Sequence, residues 1–482
     1  MATLRQIKET LDQATGAQFL YQPVIDRALF EATRRKTATR MLLPRRKWNT
    51  PKYIFNKRTN YPQVRGVVEA PPTSGVGASV ATSSNYDQII YPVKHWQTNM
   101  DLAKFSIQTA RVNGDLMQLE LQGASESYVW WEEAVNFYGS AGASLNTWRP
   151  TWDGADLLMA AGNKFSANAT PTFALMDAMI DACKHSLGST LGNNYAFVMS
   201  FEMLSTFSRL FVRDERWMGK TTVYPRDDRG VLGGSVTDNN NYIDAGLDVV
   251  TYRGVPLVES SFLTPLGTMS TVTAASPTGT DGVIPAGTYY YAVEVVTDFG
   301  ISYAVETSQV TISSTNHVVL SWTAPVILDA QGNTRQNLFY RLYRTGTNGG
   351  PGTETLYAVL SASDITYDDL TNHPVQSFTD YGAIIDPVAS NTAIAVTVAT
   401  AGGIAVPDGV TPPHLSSSDQ AQDIFLFPRD PDISCVPVVN EMQTVPLALV
   451  NARTQQVALI GDQVWAVRGP GFMAKASNVY VS

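Results

Sequence analysis

The sequence predicts an α+β chain that carries an inserted all-β domain. Three observations predict it. One long amphipathic helical pattern, 114–139, sits among mixed strand and helix signals. A lysine-free stretch, 268–420, holds only short strand patterns. After residue 420 the composition returns to that of the first part. The chain has 482 residues, too many for one core, so two to four domains are expected. Hydrophobic residues are 44% and aromatics 10%, enough for true cores. Charged residues are only 16%, against roughly 25% in a typical soluble domain. Thr, Ser, Asn, Gly and Pro fill the difference, which suits strands and ordered loops that cover one another.

Residues 1–44 read as a short helix and an arm. Leu4, Ile7, Leu11 and Ala14 keep helical spacing and Gly16 ends it. Residues 45–97 read as a two-stranded ribbon. Tyr53-Ile54-Phe55 and Val64–Val68 are strand-like, Pro71–Gly77 is a turn, and Ile89-Ile90-Tyr91 begins the return. An isolated ribbon is marginal in water, so it is expected to lie on a neighbouring subunit. In helix 114–139, Leu116, Leu119, Ala124, Tyr128, Trp131, Val135 and Tyr138 share a face. Glu120, Glu126, Glu132 and Glu133 are expected mostly outside it, and Gly139 stops a helix of about 40 Å. Pro171 suits the first position of a second helix, whose core face is Phe173, Met176, Ile180, Cys183 and Leu187, closed by Gly188. Cys183 is thus a core residue. Strand Tyr195–Met199 leads to Ser200 as N-cap and to a helix over Phe201–Phe211. Asp214, Glu215 and Arg216 read as a solvated turn. Two short strands flank Gly254 within 249–258.

From about Gly267 the character changes. Residues 268–420 hold no lysine, three arginines and thirteen Asp/Glu, a net −10. Strands are expected over Thr288–Thr297, Val305–Ile312, Val318–Trp322, Phe339–Arg344 and Leu356–Leu360, the pattern of a β-sandwich. Tyr289, Tyr291, Val293 and Val295 alternate as a half-buried strand does. In the tail, Asp423–Phe427 is a strand, and Thr454–Ile460 with Gln463–Arg468 is expected to form a hairpin about Gly461-Asp462.

Nothing points to catalysis. No HExxH, Walker-type loop or GxSxG elbow occurs. The five histidines, His95, His185, His317, His373 and His414, have no ligand spacing. His185 near a helix end reads as a carbonyl cap. Asp364, Asp368 and Asp369 lack a calcium-loop pattern, and Asp430-Pro431-Asp432 points its carboxylates apart. No enzyme activity, cofactor or metal is expected. Met1–Leu20 carries Arg5, Lys8, Glu9 and Asp12 without an apolar core, so no secretory signal is expected, and no apolar run is long enough to span a membrane. Two distant cysteines, Cys183 and Cys435, fit a reducing cytoplasm.

Charge is uneven. Between Ala32 and Val68 lie eleven Lys/Arg and no acid; the whole chain is −9, so the remainder is −20. A basic strip on an acidic body is a means of self-association. The candidate inter-subunit contacts are Arg34, Arg35, Arg45, Arg46, Lys47, Lys52, Lys57, Arg58 and Arg65.

This order of features resembles the major capsid proteins of tailed bacteriophages, the fold of phage Hong Kong ninety-seven. The basic arm, the ribbon and the helix ending in Trp130-Trp131-Glu132-Glu133-Ala134-Val135-Asn136-Phe137-Tyr138-Gly139 carry the likeness, with Tyr252-Arg253-Gly254-Val255-Pro256-Leu257-Val258. The resemblance covers about two-thirds of the chain. It implies an N-terminal arm (1–44), an extension loop (45–97), a peripheral domain with a spine helix (98–194), an axial domain (195–267) and a return into both (421–482). Residues 268–420 resemble immunoglobulin-like or fibronectin type III modules through Val318–Pro325, Tyr340–Arg344 and Ile365–Asp369. Hexamers and pentamers of an icosahedral shell around phage DNA are implied, with the insert facing outward. So are portal and scaffolding partners, a decoration protein, non-specific contact with packaged DNA and no membrane. The location implied is the virion, assembled in the host cytoplasm. The competing reading is a phage tail or surface adhesin that holds glycans on exposed Tyr289, Tyr290, Tyr291 and Tyr303.

Overall fold

A computed structural model of the chain describes residues 37–58, 60–62, 84–103, 116–141, 151–188, 194–217, 251–267, 269, 271–276, 282–313, 316–323, 325–326, 336–362, 375–382, 412–414, 418–447 and 454–481. The expected first helix, the Pro71–Gly77 turn and the Asp364–Asp369 cluster lie outside these residues, as do Arg34, Arg35 and Arg65.

The first described elements are one helical turn, α1 (Thr39–Leu42), and a short strand, β1 (Arg45–Lys47). The ribbon follows as β2 (Lys52–Arg58) and β3 (Tyr86–Pro92), paired in register from Lys52↔Pro92 to Arg58↔Tyr86. Next come β4 (Lys94–Ala103), the long helix α2 (Leu116–Tyr138), the turn α3 (Ala155–Leu158) and β5 (Lys164–Ala169). Helix α2 buries Ala124, Tyr128, Val135 and Tyr138 of the expected face, while Leu119 is exposed. Its early turns are exposed, and from Glu132 to Tyr138 every residue is buried. Helix α4 (Phe173–Leu187) is capped by Thr172, whose hydroxyl accepts from the Leu175 amide, and stops at Gly188 with φ +70°. Pro171 therefore precedes the cap rather than opening the helix. Cys183 is fully buried as expected.

Strand β6 (Tyr195–Met199) runs into α5 (Phe201–Trp217), capped by the Ser200 hydroxyl, which accepts from Met203 N–H at 3.1 Å. The helix carries through Asp214–Arg216, which are helical and not a turn. No Gly or Pro stands between Ser200 and Gly219 to stop it. Strands β7 (Thr251–Tyr252) and β8 (Val255–Glu259) turn on Arg253 and Gly254, both at positive φ.

The lysine-free segment folds as β9 (Val272–Ala275), β10 (Gly287–Tyr289), β11 (Tyr291–Thr297), β12 (Val305–Glu306), β13 (Val310–Ile312), β14 (Val318–Thr323), β15 (Asn337–Arg344), β16 (Thr355–Ser361) and β17 (Val375–Asp380). Sheet β12-β11-β15-β16 and sheet β17-β14-β9 share a core that includes Val293, Trp322, Tyr340 and Leu342. The expected strand over Thr288–Thr297 breaks at Tyr290, whose amide donates to the Thr345 hydroxyl. Val305–Ile312 likewise divides in two.

The tail supplies β18 (Gln422–Pro428), β19 (Ser434–Pro446), β20 (Thr454–Gln463), β21 (Ala466–Val467) and β22 (Ala474–Val479). Strands β18 and β22 enter a six-stranded sheet, β5-β22-β18-β6-β8-β7. Its one face packs on α4 and α5 through Met176, Ile180, Cys183 and Phe207. The other receives the end of α2, where Phe137 lies 4.9 Å from Phe425 and 5.6 Å from Phe262. Strands β19 and β20 join β1 and β4 in a second sheet. No hairpin forms at Gly461-Asp462, because β20 runs straight through, paired with β4 and β19. Gly461 opposes Trp96, and the indole occupies the space a Cβ would need. The glycine serves close approach, not a turn. Among the described residues no helix is long and apolar enough to cross a membrane.

Candidate functional site

The arm is fastened to the long helix by two adjacent glutamates. Both were expected outside the helix's apolar face, yet both are 1% exposed. Glu133 accepts from the amides of Ala38 and Thr39, each at 2.9 Å, from the Thr39 hydroxyl, and from Ser260 Oγ at 2.8 Å. Burial raises its pKa against the pull of those donors. It caps α1 from outside the arm. Glu132 accepts from Arg40 at 2.9 Å and from Arg45. The burial of both glutamates follows from these partners: the arm brings the donors that make a buried carboxylate tolerable.

Of the candidate contact residues, Arg45 is thus held within its own chain, and its other N–H reaches Gln463 Oε1 at 3.2 Å. Arg46 and Lys47 are exposed on β1, whose backbone pairs in parallel with Val436–Val438. Lys52, Lys57 and Arg58 are exposed on the ribbon. The base of the ribbon is anchored. Tyr53 is buried against Cys435 and Ala466, Arg468 donates to its hydroxyl at 3.1 Å, and the Tyr91 hydroxyl donates to Val467 O at 2.9 Å. The opposite face holds Lys52, Ile54, Asn56 and Arg58 across from Pro92, Ile90, Gln88 and Tyr86, and all eight are exposed. Arg58 lies over the rings of Tyr61 and Tyr86. Ile54 and Ile90 stand directly opposite one another at 40% and 48% exposure. The structure therefore groups Lys52 and Arg58 with an apolar pair that the charge count alone does not single out, and puts Lys57 on the other face.

A buried ionic cluster ties the lysine-free segment to the rest. Arg341 of β15 pairs with Asp156 of α3; Lys475 of β22 lies 3.2 Å from Asp156 and 2.8 Å from Asp423 of β18. His414 places Nδ1 2.7 Å from Glu294 and Nε2 2.8 Å from Asp423. Tyr343 and Tyr138 donate to Glu294 and Asp423 at 2.6 Å each. Burial pulls the His414 pKa down, but Asp423 and Glu294 outweigh it and raise it to about 9. The Asp156 and Asp423 carboxyls are held well below the usual range, because their cationic partners outweigh desolvation. Burial lowers Lys164, 3.9 Å from Asp156, to about 8. The cluster is closed, each charge lying beside an opposite one. It fixes how segments meet, and nothing in it is open to a substrate. Histidine spacing in the sequence could not reveal it, because the partners of His414 come from β11 and β18.

The same contact overturns the half-buried reading of β11. Every residue of Tyr291–Thr297 is buried. One face lies in the sandwich core, and Ala292 and Val296 on the other join the core around α2. Tyr289, Tyr291 and Tyr303 are 2%, 1% and 6% exposed and Tyr290 is half-buried, so three of the four tyrosines behind the glycan reading lie in the core. Asp430 and Asp432 form a turn, with the Asp432 amide donating to Asp430 Oδ1. His185 is exposed in the last turn of α4. Among the described residues no group of three or more His, Cys, Asp or Glu could hold a metal.

Solved structures align along nearly the whole chain. The capsid of a native GTA particle is 8% identical, covering 97% of this chain and 98% of that one, at a TM-score of 0.44. A chain of Gordonia phage Cozz is 7% identical over 99% and 95%, also at 0.44. The holo-SrpI encapsulin complex from Synechococcus elongatus PCC 7942 gives 10% identity over 97% and 95%, at 0.39. No family model matches the chain, and no curated protein matches it.

Proposed function

We propose that this chain is a structural subunit that assembles with copies of itself into a closed shell, the icosahedral capsid of a tailed phage. The observation that carries the reading is the ribbon: anchored at its base, it presents one whole face, with Ile54 and Ile90 at its centre and Lys52 and Arg58 beside them, to solvent. A two-stranded ribbon gains little from staying bare, and an apolar pair ringed by cations suits an acidic neighbour. In this reading Arg34, Arg35, Arg46, Lys47, Lys52, Lys57, Arg58 and Arg65 touch neighbouring subunits, while Arg45 holds the arm in cis. Residues 1–44 are the arm, 45–97 the extension loop, 98–194 the peripheral domain, 195–267 the axial domain and 421–482 the return. Residues 268–420 are an immunoglobulin-like insert on the outer surface, where a net −10 is least opposed by packaged DNA. Repeated weak contacts build hexamers and pentamers. Portal, scaffolding and decoration proteins are the further partners, and the chain carries no catalysis.

Electron microscopy of the expressed protein should show shells, capsomers or sheets. The substitutions Ile54→Asp with Ile90→Asp should leave the subunit folded by circular dichroism and abolish assembly. A wild-type protein that stays a monodisperse monomer under all conditions, or normal shells from the double variant, would overturn the reading.

A further inference from the structure

Glu354 is a buried charge that lacks the usual partner. It stands where the chain enters β16 and is 1% exposed, and neither of its carboxylate oxygens meets a hydrogen-bond donor among the described residues. A carboxylate stranded in this way is costly, so a donor is expected beside it. Glu306, half-buried on β12, has its carboxyl within hydrogen-bonding reach of Glu354. Two carboxylates repel, but a protonated carboxyl donates to a carboxylate.

The register shows what this contact ties together. Strands β12 and β16 are the two edges of sheet β12-β11-β15-β16. Glu306 opposes Ala292, Ala292 opposes Tyr343, and Tyr343 opposes Leu356, which follows Glu354 by two positions. Ala292, Tyr343 and Leu356 belong to the core around α2, so the two glutamates meet over the face the sheet turns to that core. Strand β12 is otherwise lightly held. It has two register pairs, Ala292↔Glu306 and Val293↔Val305, flanked by Thr307 N–H donating to Tyr291 O at 2.7 Å and Ala304 N–H donating to His414 O at 3.0 Å. The other charges of this face are engaged. Glu294 of β11 meets the His414 ring and the Tyr343 hydroxyl, and Arg341 of β15 pairs with Asp156. Arg344 opposes Tyr291, so it lies on the other face, with Asp380. Besides burial, Glu354 is the group that acts on the Glu306 carboxyl.

We propose that protonated Glu306 clasps β12 to the sheet by donating its carboxyl hydrogen to Glu354, and that loss of this proton frees β12. Burial and the charge of Glu354 raise the Glu306 pKa from the ordinary 4.5 to about 7. The clasp's contribution to stability is complete below pH 4.5, declines above it and is gone once pH passes 7. There two carboxylates face each other, and Glu306, the more exposed, turns to water with its strand. The edge of β11 is then uncovered, a row of unpaired backbone groups of the kind on which extended segments add.

Hydrogen exchange of the full chain, read by mass spectrometry on peptides spanning 303–307, tests this latch. With intrinsic rates corrected for pH, protection there should fall about tenfold between pH 6 and pH 8, while peptides of β15 keep theirs. Glu306→Gln carries an N–H donor at every pH. It should hold β12 protected across the range and leave His414 and Lys164 to titrate as before. Glu354→Gln donates to ionised Glu306 and should likewise keep the protection at pH 8. Circular dichroism checks that both isosteric variants fold, and the wild-type profile stands without them. Wild-type protection that does not change between pH 6 and pH 8, or a pH dependence that Glu306→Gln retains, would overturn the proposal. The measurement needs no assembly, so its failure is separate from failure of the shell reading.

Discussion

Glu133 shows what one buried carboxylate can organise. It satisfies two backbone amides and two hydroxyls that would otherwise be stranded between the arm and α2. Glu133→Ala should cost about 3 kcal/mol in urea denaturation, since several donors lose their acceptor at once. His414 makes the stability depend on pH in a definite direction. Its folded pKa, about 9, stands above the ordinary 6.5, so the stabilisation is complete below pH 6.5 and is lost as pH rises through 9. The urea midpoint should fall across that window, and His414→Asn should flatten the fall. Lys164, lowered to about 8, works the other way: its penalty is full below pH 8 and is relieved as pH rises towards 10.5. Cys183 and Cys435 should not react with Ellman's reagent in the folded protein. Both are buried, and burial pushes the Cys183 thiol up to about 12.

At the scale of elements, periodicity located most of the structure. The apolar spacing in α2 and α4, the Ser200 cap and the αL glycine at 188 are local signals, and local signals survive folding. Elements failed where a neighbour decided. Gly461-Asp462 carries the wording of a hairpin turn, but β4 arrives from far earlier in the chain (461 − 96 = 365 positions) and places Trp96 over the glycine. Gly461→Val should therefore displace the indole from Tyr128, costing about 2 kcal/mol and reducing the near-ultraviolet circular dichroism of the tryptophans. Substituting an exposed ribbon position such as Asn56 should leave the subunit's stability within about 0.5 kcal/mol.

For the whole molecule, the lysine-free segment is the instructive case. Its composition marked it as a separate all-β piece, and its four-stranded and three-stranded sheets do share a core. Yet the outer face of β11, β15 and β16 is sealed against the rest through Ala292, Val296, Phe339 and Val359, with Arg341 and His414 paired across the contact. An excised 268–420 fragment should expose that apolar face and strand Arg341 without Asp156 and His414 without Asp423, and so aggregate on size-exclusion chromatography rather than run as a monomer. The sequence by itself determined the periodic elements, their caps, the position of the β-rich segment and the basic strip, because each is written in residues close together along the chain. Only the tertiary structure decided that Glu132 and Glu133 are buried and that β11 has no exposed face. Those outcomes depend on partners far along the chain, 87 positions or more for the two glutamates, and no local period encodes which second face a strand or helix will find.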